Sequence, residues 1–223
     1  MPTDGLININ GDSVQSLEII ALTTLIALMP SLLVMMTSFT RYIISLSFLR
    51  TAMGTNQTPP NVVLVGIALF LTLITMNPTL TQIQTEAWEP YTNEEIGAEE
   101  FVDRAALPLK QFMLDNLHWD TLEMYCELAH VDAPETRAQA EAETPLRIIV
   151  PAFMTQELQR AFFNGFLLYI PFLLIDVIVS STLMSMGMIM LPPAMISTPF
   201  KLLLFISVNG WDLMFTSLVQ GVK

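Results

Sequence analysis

Residues 161–204 read AFFNGFLLYIPFLLIDVIVSSTLMSMGMIMLPPAMISTPFKLLL, and across them only Asp176 and Lys201 are charged. Apolar runs this long exceed any ordinary strand, so they read as helices in an apolar setting. Gly187 and Pro192-Pro193 supply breakers in the middle, so the stretch reads as two helical arms joined by a loop. The second arm runs from about Pro199 to Val222. The fold class that follows is all-α.

The whole chain agrees with that start. Of 223 residues, 52% are hydrophobic and 13% charged, about half the charge load of an ordinary soluble domain, with a mean hydropathy of +0.55. The net charge of −12 and the absence of any basic cluster argue against nucleic acid as a partner. One cysteine and two histidines exclude an intramolecular disulfide and a four-ligand zinc fold without carboxylate help. No metal or cofactor is expected.

Charge is concentrated between Glu86 and Arg147, where 15 acidic and 4 basic residues carry −11 of the total. The plan is apolar, acidic, apolar. It divides into an N-terminal extracytoplasmic segment (1–18), a first hydrophobic helical hairpin (19–85), an acidic extracytoplasmic helical insert (86–147) and a C-terminal hydrophobic hairpin region with a Met-rich loop (148–223). The bent hydrophobic hairpins are the bulk of the molecule.

In the first hairpin, apolar periodicity runs from Ile19 to Met53, with Gly54 and Pro59-Pro60 as the first firm breakers. Such a helix would reach about 52 Å against a hydrocarbon core of about 30 Å, so it must tilt, kink at Pro30 or protrude. The second helix is expected from Asn61 to Met76, where Asn77-Pro78 interrupts it. Gly54, Pro59 and Pro60 thus mark the hairpin loop. Arg41 and Arg50 lie near it and place it on the cytoplasmic side, with the acidic insert outside. Met1–Gly11 has no basic n-region and does not read as a signal peptide.

In the acidic segment a helix is expected over Ala98–Met113, with Leu107, Phe112, Met113, Leu117 and Trp119 as packing residues. Val131–Thr144 is poor in apolar residues and reads as a mobile linker. Beyond it, helix starts at Thr155-Gln-Glu-Leu and is expected to be interrupted at Pro171 and Asp176.

Chemistry-bearing motifs are lacking. There is no phosphate-binding Gly-rich loop, no nucleophile elbow, no His-Glu-x-x-His pair and no EF-hand spacing, so no enzyme activity is expected. His118, Cys126 and His130 read as surface residues, and the acidic segment as a solvated face. Met184, Met186, Met188 and Met190 alternate before two prolines. Their flexible thioethers suit either a gasket that closes and reopens around a passing chain or plain gap-filling in a core. Asp176 and Lys201 each need a partner, since a charge at the centre of a membrane helix costs roughly 2.5–3.5 kcal/mol. They stand equally far from the Met segment, so an antiparallel hairpin would bring them level; the alternative is a Lys201 that snorkels to water beside an unrelated Asp176.

The residues together resemble a known family. MetMetThrSerPheThrArg at 35–41, LeuArg at 49–50, GlyThr-x-GlnThrProProAsn at 54–61, ProAlaPhe at 151–153 and GlyPheLeu at 165–167 carry the likeness. So do IleProPheLeuLeuIleAsp at 170–176, GlyMetIleMetLeuProPro at 187–193 and ProPheLysLeuLeuLeuPhe at 199–205. This pattern resembles the FliP family, export-gate subunits of the flagellar type III secretion apparatus, related to the SctR proteins of virulence injectisomes.

The resemblance implies a non-catalytic subunit of the flagellar basal body at the bacterial inner membrane. It implies assembly with copies of itself, in a pentamer-like arrangement, and with Q-type and R-type subunits into a helical portal for unfolded export substrates. B-type and A-type export-apparatus proteins are implied neighbours. It gives Met188 and Met190 the role of a portal gasket, Ile189 replacing the family's middle methionine, and gives Asp176 and Lys201 that of a buried ion pair. Family members sit largely as bent hairpins above the membrane plane. Two departures stand out: Asn209-Gly210-Trp211 replaces the common Asp-Gly-Trp, and the cleaved signal peptide usual in flagellar members is missing. An injectisome gate is the alternative within the same machinery, and a small secondary transporter is the rival from another class, since Pro-broken apolar helices with an isolated Asp are its signature.

Overall fold

A computed structural model describes residues 19, 20, 23, 24, 27, 28, 30–32, 34–55, 57–188 and 190–222. The expectations for segment 1–18 and for Ile189 lie outside these. The described residues are folded as helices joined by short turns. In chain order they are α1 (Phe39–Ala52), α2 (Asn61–Ile83), a π-helical turn (Gln84–Trp88), α3 (Glu89–Thr92), α4 (Ala98–Asp115), α5 (Trp119–Leu128), α6 (Arg137–Glu143), α7 (Leu146–Ser185), α8 (Pro193–Ser207) and α9 (Gly210–Gln220).

Described residues between 19 and 35 are helical, Pro30 among them, and the single helix expected from Ile19 to Met53 is broken at residues 36–38. There the Thr37 hydroxyl accepts from the Phe39 N–H at 3.4 Å, and the Thr40 hydroxyl donates to the Val34 carbonyl at 3.3 Å. Hydroxyl side chains that bond nearby backbone groups offer the chain an alternative to continuing the helix.

The interruptions expected at Pro78, Pro171 and Asp176 do not occur, and the helix expected to start at Thr155 starts at Leu146. α2 runs unbroken through Pro78, and α7 continues for 40 residues through Pro151, Pro171 and Asp176. Each proline removes one backbone hydrogen bond, but its neighbours are packed: Met76 beside Pro78, Ala152 and Phe153 after Pro151, and Phe172 after Pro171 are all buried. α7 is therefore about 60 Å long, twice a hydrocarbon core.

Two hydrophobic cores share α7. The first joins α1, α2, α8 and α9 through Tyr42, Leu46, Leu49, Leu64, Ala68, Phe172, Phe205, Met214 and Leu218. α1 lies along α7 closely enough that a Cβ on Gly165 would stand 2.5 Å from Phe48 Cγ, while Phe48 meets Phe162 edge-on at 5.3 Å. The second core seats the acidic segment on the start of α7: Phe112, Met113, Leu122 and Cys126 pack with Ile148, Ile149 and Phe153. Leu107 and Trp119, expected to pack, are 41% and 36% exposed, because the apolar face of this segment is narrower than its composition suggests.

The expected linker 131–144 contains α6. Thr136 caps it by accepting from the Gln139 N–H at 3.3 Å, and Gln139 Oε1 accepts in turn from the Glu135 N–H at 3.0 Å. This reciprocal arrangement supplies the order that apolar composition does not. Arg137 then pairs with Asp115, which raises the guanidinium pKa further, and Lys110 donates to the Glu141 carbonyl. Partial burial holds the Lys110 ammonium below its usual range despite the nearby Glu141 charge.

By length and composition, the stretch of α2 through α3 and the whole of α7 can each cross a membrane, and α8 with α9, bent by 66°, can make a third crossing. Their outer faces are apolar: Val62, Phe70 and Ile206 are 83%, 71% and 76% exposed.

Candidate functional site

α7 and α8 form the hairpin whose loop carries the methionines. α7 ends in a Schellman turn: Gly187, at φ +76°, donates to the Met184 carbonyl at 3.0 Å, and Met188 donates to the Leu183 carbonyl at 3.0 Å. Glycine fits there because a left-handed backbone costs it nothing. Pro192 and Pro193 then start α8, with fixed φ angles suited to a helix entrance. Between these ends Met190 is 99% exposed and Met188 39%, with Met184, Met186 and Met195 also outward. The methionines therefore do not fill a core of this chain.

Below the loop, Lys201 Nζ donates to Asp176 Oδ2 at 2.6 Å and to the Ala52 carbonyl at 3.0 Å. Ser197 Oγ donates to Asp176 Oδ1 at 2.6 Å. The two charges are unequally buried: the Lys201 side chain is 6% exposed and that of Asp176 38%. Ala52 is the last residue of α1, whose final carbonyls lack intrahelical partners, so the ammonium also satisfies a helix C-terminus. One lysine thus ties α1, α7 and α8 together.

The α1–α2 turn abuts the same place. Gly54 adopts φ +76°, and a Cβ there would stand 3.0 Å from Thr198 Oγ1. Arg50 holds the far side of the turn, donating to the Pro59 carbonyl at 3.3 Å and to Asn61 Oδ1 at 2.5 Å. Pro60 precedes α2, and its carbonyl accepts from Val63 and Leu64. Gly54, Pro59 and Pro60 therefore form a braced turn beside α8.

Arg41 does not belong to that turn. It is buried, and its Nε donates to Glu157 Oε2 at 2.8 Å while its NH2 nitrogen bonds the other carboxylate oxygen. Its third nitrogen donates to the Gly221 carbonyl at 2.6 Å, fastening the end of the chain. Sequence reasoning missed this pair. The signal was available, because Arg41 interrupts an apolar run as Lys201 does.

His118 and His130 are exposed, but Cys126, expected on the surface, is wholly buried. Burial, with the Glu123 charge nearby, pushes its thiol pKa up, away from the reactive thiolate. Among the described residues no three His, Cys, Asp or Glu side chains come together as a metal site. Asn209 takes the left-handed conformation at φ +52° ahead of α9, which asparagine and aspartate both tolerate, so its replacement of the common aspartate keeps the backbone.

Comparison with known proteins finds relatives along nearly the whole sequence. The sequence matches the FliP family over residues 22–218. The flagellar biosynthetic protein FliP of Aquifex aeolicus (strain VF5) is 47% identical over 213 residues, covering 96% of this chain and 88% of that protein. The protein of the same name from Bacillus subtilis (strain 168) is 45% identical over 206 residues, covering 92% and 91%. That of Caulobacter vibrioides (strain ATCC 19089 / CIP 103742 / CB 15) is 47% identical over 206 residues, covering 92% and 76%. With a match along nearly its whole length and relatives at this identity, the chain belongs to the FliP family, a family of flagellar biosynthetic proteins and not of enzymes.

Proposed function

We propose that this chain is a core subunit of the flagellar type III protein export gate, through whose portal unfolded flagellar proteins leave the cell. It assembles with copies of itself and with Q-type and R-type subunits, next to the B-type and A-type proteins of the apparatus. It resides at the inner membrane in the basal body, its acidic segment outside the cytoplasm. Asp176 and Lys201 act as a structural pair within it.

The observation that carries the reading is the loop at 186–192. Met188 and Met190 project from a loop anchored at both ends, and Met190 is almost wholly exposed among the described residues. Exposed thioethers on a fixed hairpin are ready to meet those of neighbouring copies, packing densely and yielding to a passing chain. The exposed apolar flanks of α2 and α7 supply surface for the neighbouring subunits.

The test replaces Met188 and Met190 together by alanine. Assembled gates should then leak small ions across the inner membrane, measured as conductance in reconstituted bilayers. Normal complexes with unchanged conductance would overturn the gasket role.

A further inference from the structure

The methionine loop has two differently held ends. Its start is locked to α7 by the Schellman turn at Gly187, and its end is continuous with α8 through Pro192 and Pro193. Two consecutive prolines restrict the chain between loop and helix, so movement of α8 is passed on rather than absorbed. With the other end fixed on α7, a displacement of α8 therefore changes where Met190 sits.

α8 is seated by three polar residues on its first turns. Ser197 and Lys201 bind Asp176 of α7, and Lys201 also reaches the Ala52 carbonyl. Thr198 lies against Gly54, where an added Cβ would press on its hydroxyl at 3.0 Å, a hydroxyl already held by the Ala194 carbonyl at 2.7 Å. We infer that the α1–α2 turn at Gly54 is a positioning element for the methionine loop, so that displacing the turn displaces Met190 without any contact between them. The inference rests on the geometry of the single chain and holds whether or not the loop is a gasket.

The experiment places a nitroxide probe on Met190→Cys in the full-length chain, in a Cys126→Ala background, purified from membranes in detergent. Gly54→Ala should shift the probe's mobility, because a Cβ there meets Thr198 and a backbone disfavoured for alanine. Thr198→Leu should shift it too, pushing on the same contact from the other side while leaving the Gly54 backbone intact. Gly66→Ala, whose added Cβ meets nothing within 4 Å, is the control and should leave the spectrum unchanged. If Gly54→Ala does not accumulate, Thr198→Leu alone decides. An unchanged spectrum in Thr198→Leu, or an equal shift in Gly66→Ala, overturns the inference. Ion conductance, which tests the gasket, is not part of this readout, so the two ideas fail separately.

Discussion

Arg41 and Glu157 form a two-point ion pair with side chains 1% and 0% exposed, joining α1 to α7 across 116 positions of sequence. Such a pair adds little net stability over well-packed apolar groups, yet breaking it leaves a buried charge that costs about 3–5 kcal/mol. Arg41→Met and Glu157→Leu should each lower subunit levels and thermal stability in detergent, and the double variant should recover a large part. Arg41→Met should be the worse single change, because it also frees the Gly221 carbonyl. Two stable single variants would show that water reaches the site.

The pair below the methionine loop is lopsided, and its variants should be too. Asp176→Ala strands the buried Lys201 ammonium, whereas Lys201→Ala leaves a carboxylate that still has Ser197 and solvent. Complex yield should fall further in Asp176→Ala. The charge swap should recover little, because an aspartate at 201 cannot donate to the Ala52 carbonyl. Equal losses in the two single variants, measured as yield of purified complex, would contradict the burial difference.

Gly165 is where α7 and α1 approach each other. A methyl group there meets Phe48 near its root rather than at a flexible tip. Gly165→Ala should destabilise by about 1–3 kcal/mol, the usual cost of overpacking. Adding Phe48→Ala makes room, so the double variant should be closer to wild type than the sum of the two single losses. Strict additivity in thermal unfolding would mean that the helices simply slide apart.

Cys126 is expected to be inert in the folded chain. Its thiol pKa is raised, so at pH 8 a smaller fraction is thiolate than in an exposed cysteine, and the reagent has no path to it. Alkylation by iodoacetamide should be slow in the native protein and fast in denaturant. Rapid native labelling would reveal opening of the core between α5 and α7.

Much of this was legible in the sequence because it depends on composition. Runs without charge must be helical to satisfy their own backbone in an apolar setting, which is why an all-helical fold could be read from them. Gly187 with Pro192-Pro193 marks a loop for local steric reasons, and Asp176 and Lys201 stand out by isolation alone. The helix at Arg137–Glu143 was not read, because the low apolar content of 131–144 suggests a linker, although Thr136 and Gln139 stand at the spacing of a helix cap.

What only the tertiary structure decided are the matters in which distant groups choose each other. Prolines 78, 151 and 171 end no helix, because burial of the residues around them outweighs one lost hydrogen bond. Arg41 selects Glu157 and Gly221, and Lys201 adds Ala52 to Asp176, because a buried cation gathers whatever acceptors the packing brings within reach. Gly54 matters through Thr198, and Gly165 through Phe48, because the space a missing Cβ leaves has meaning only once another helix fills it.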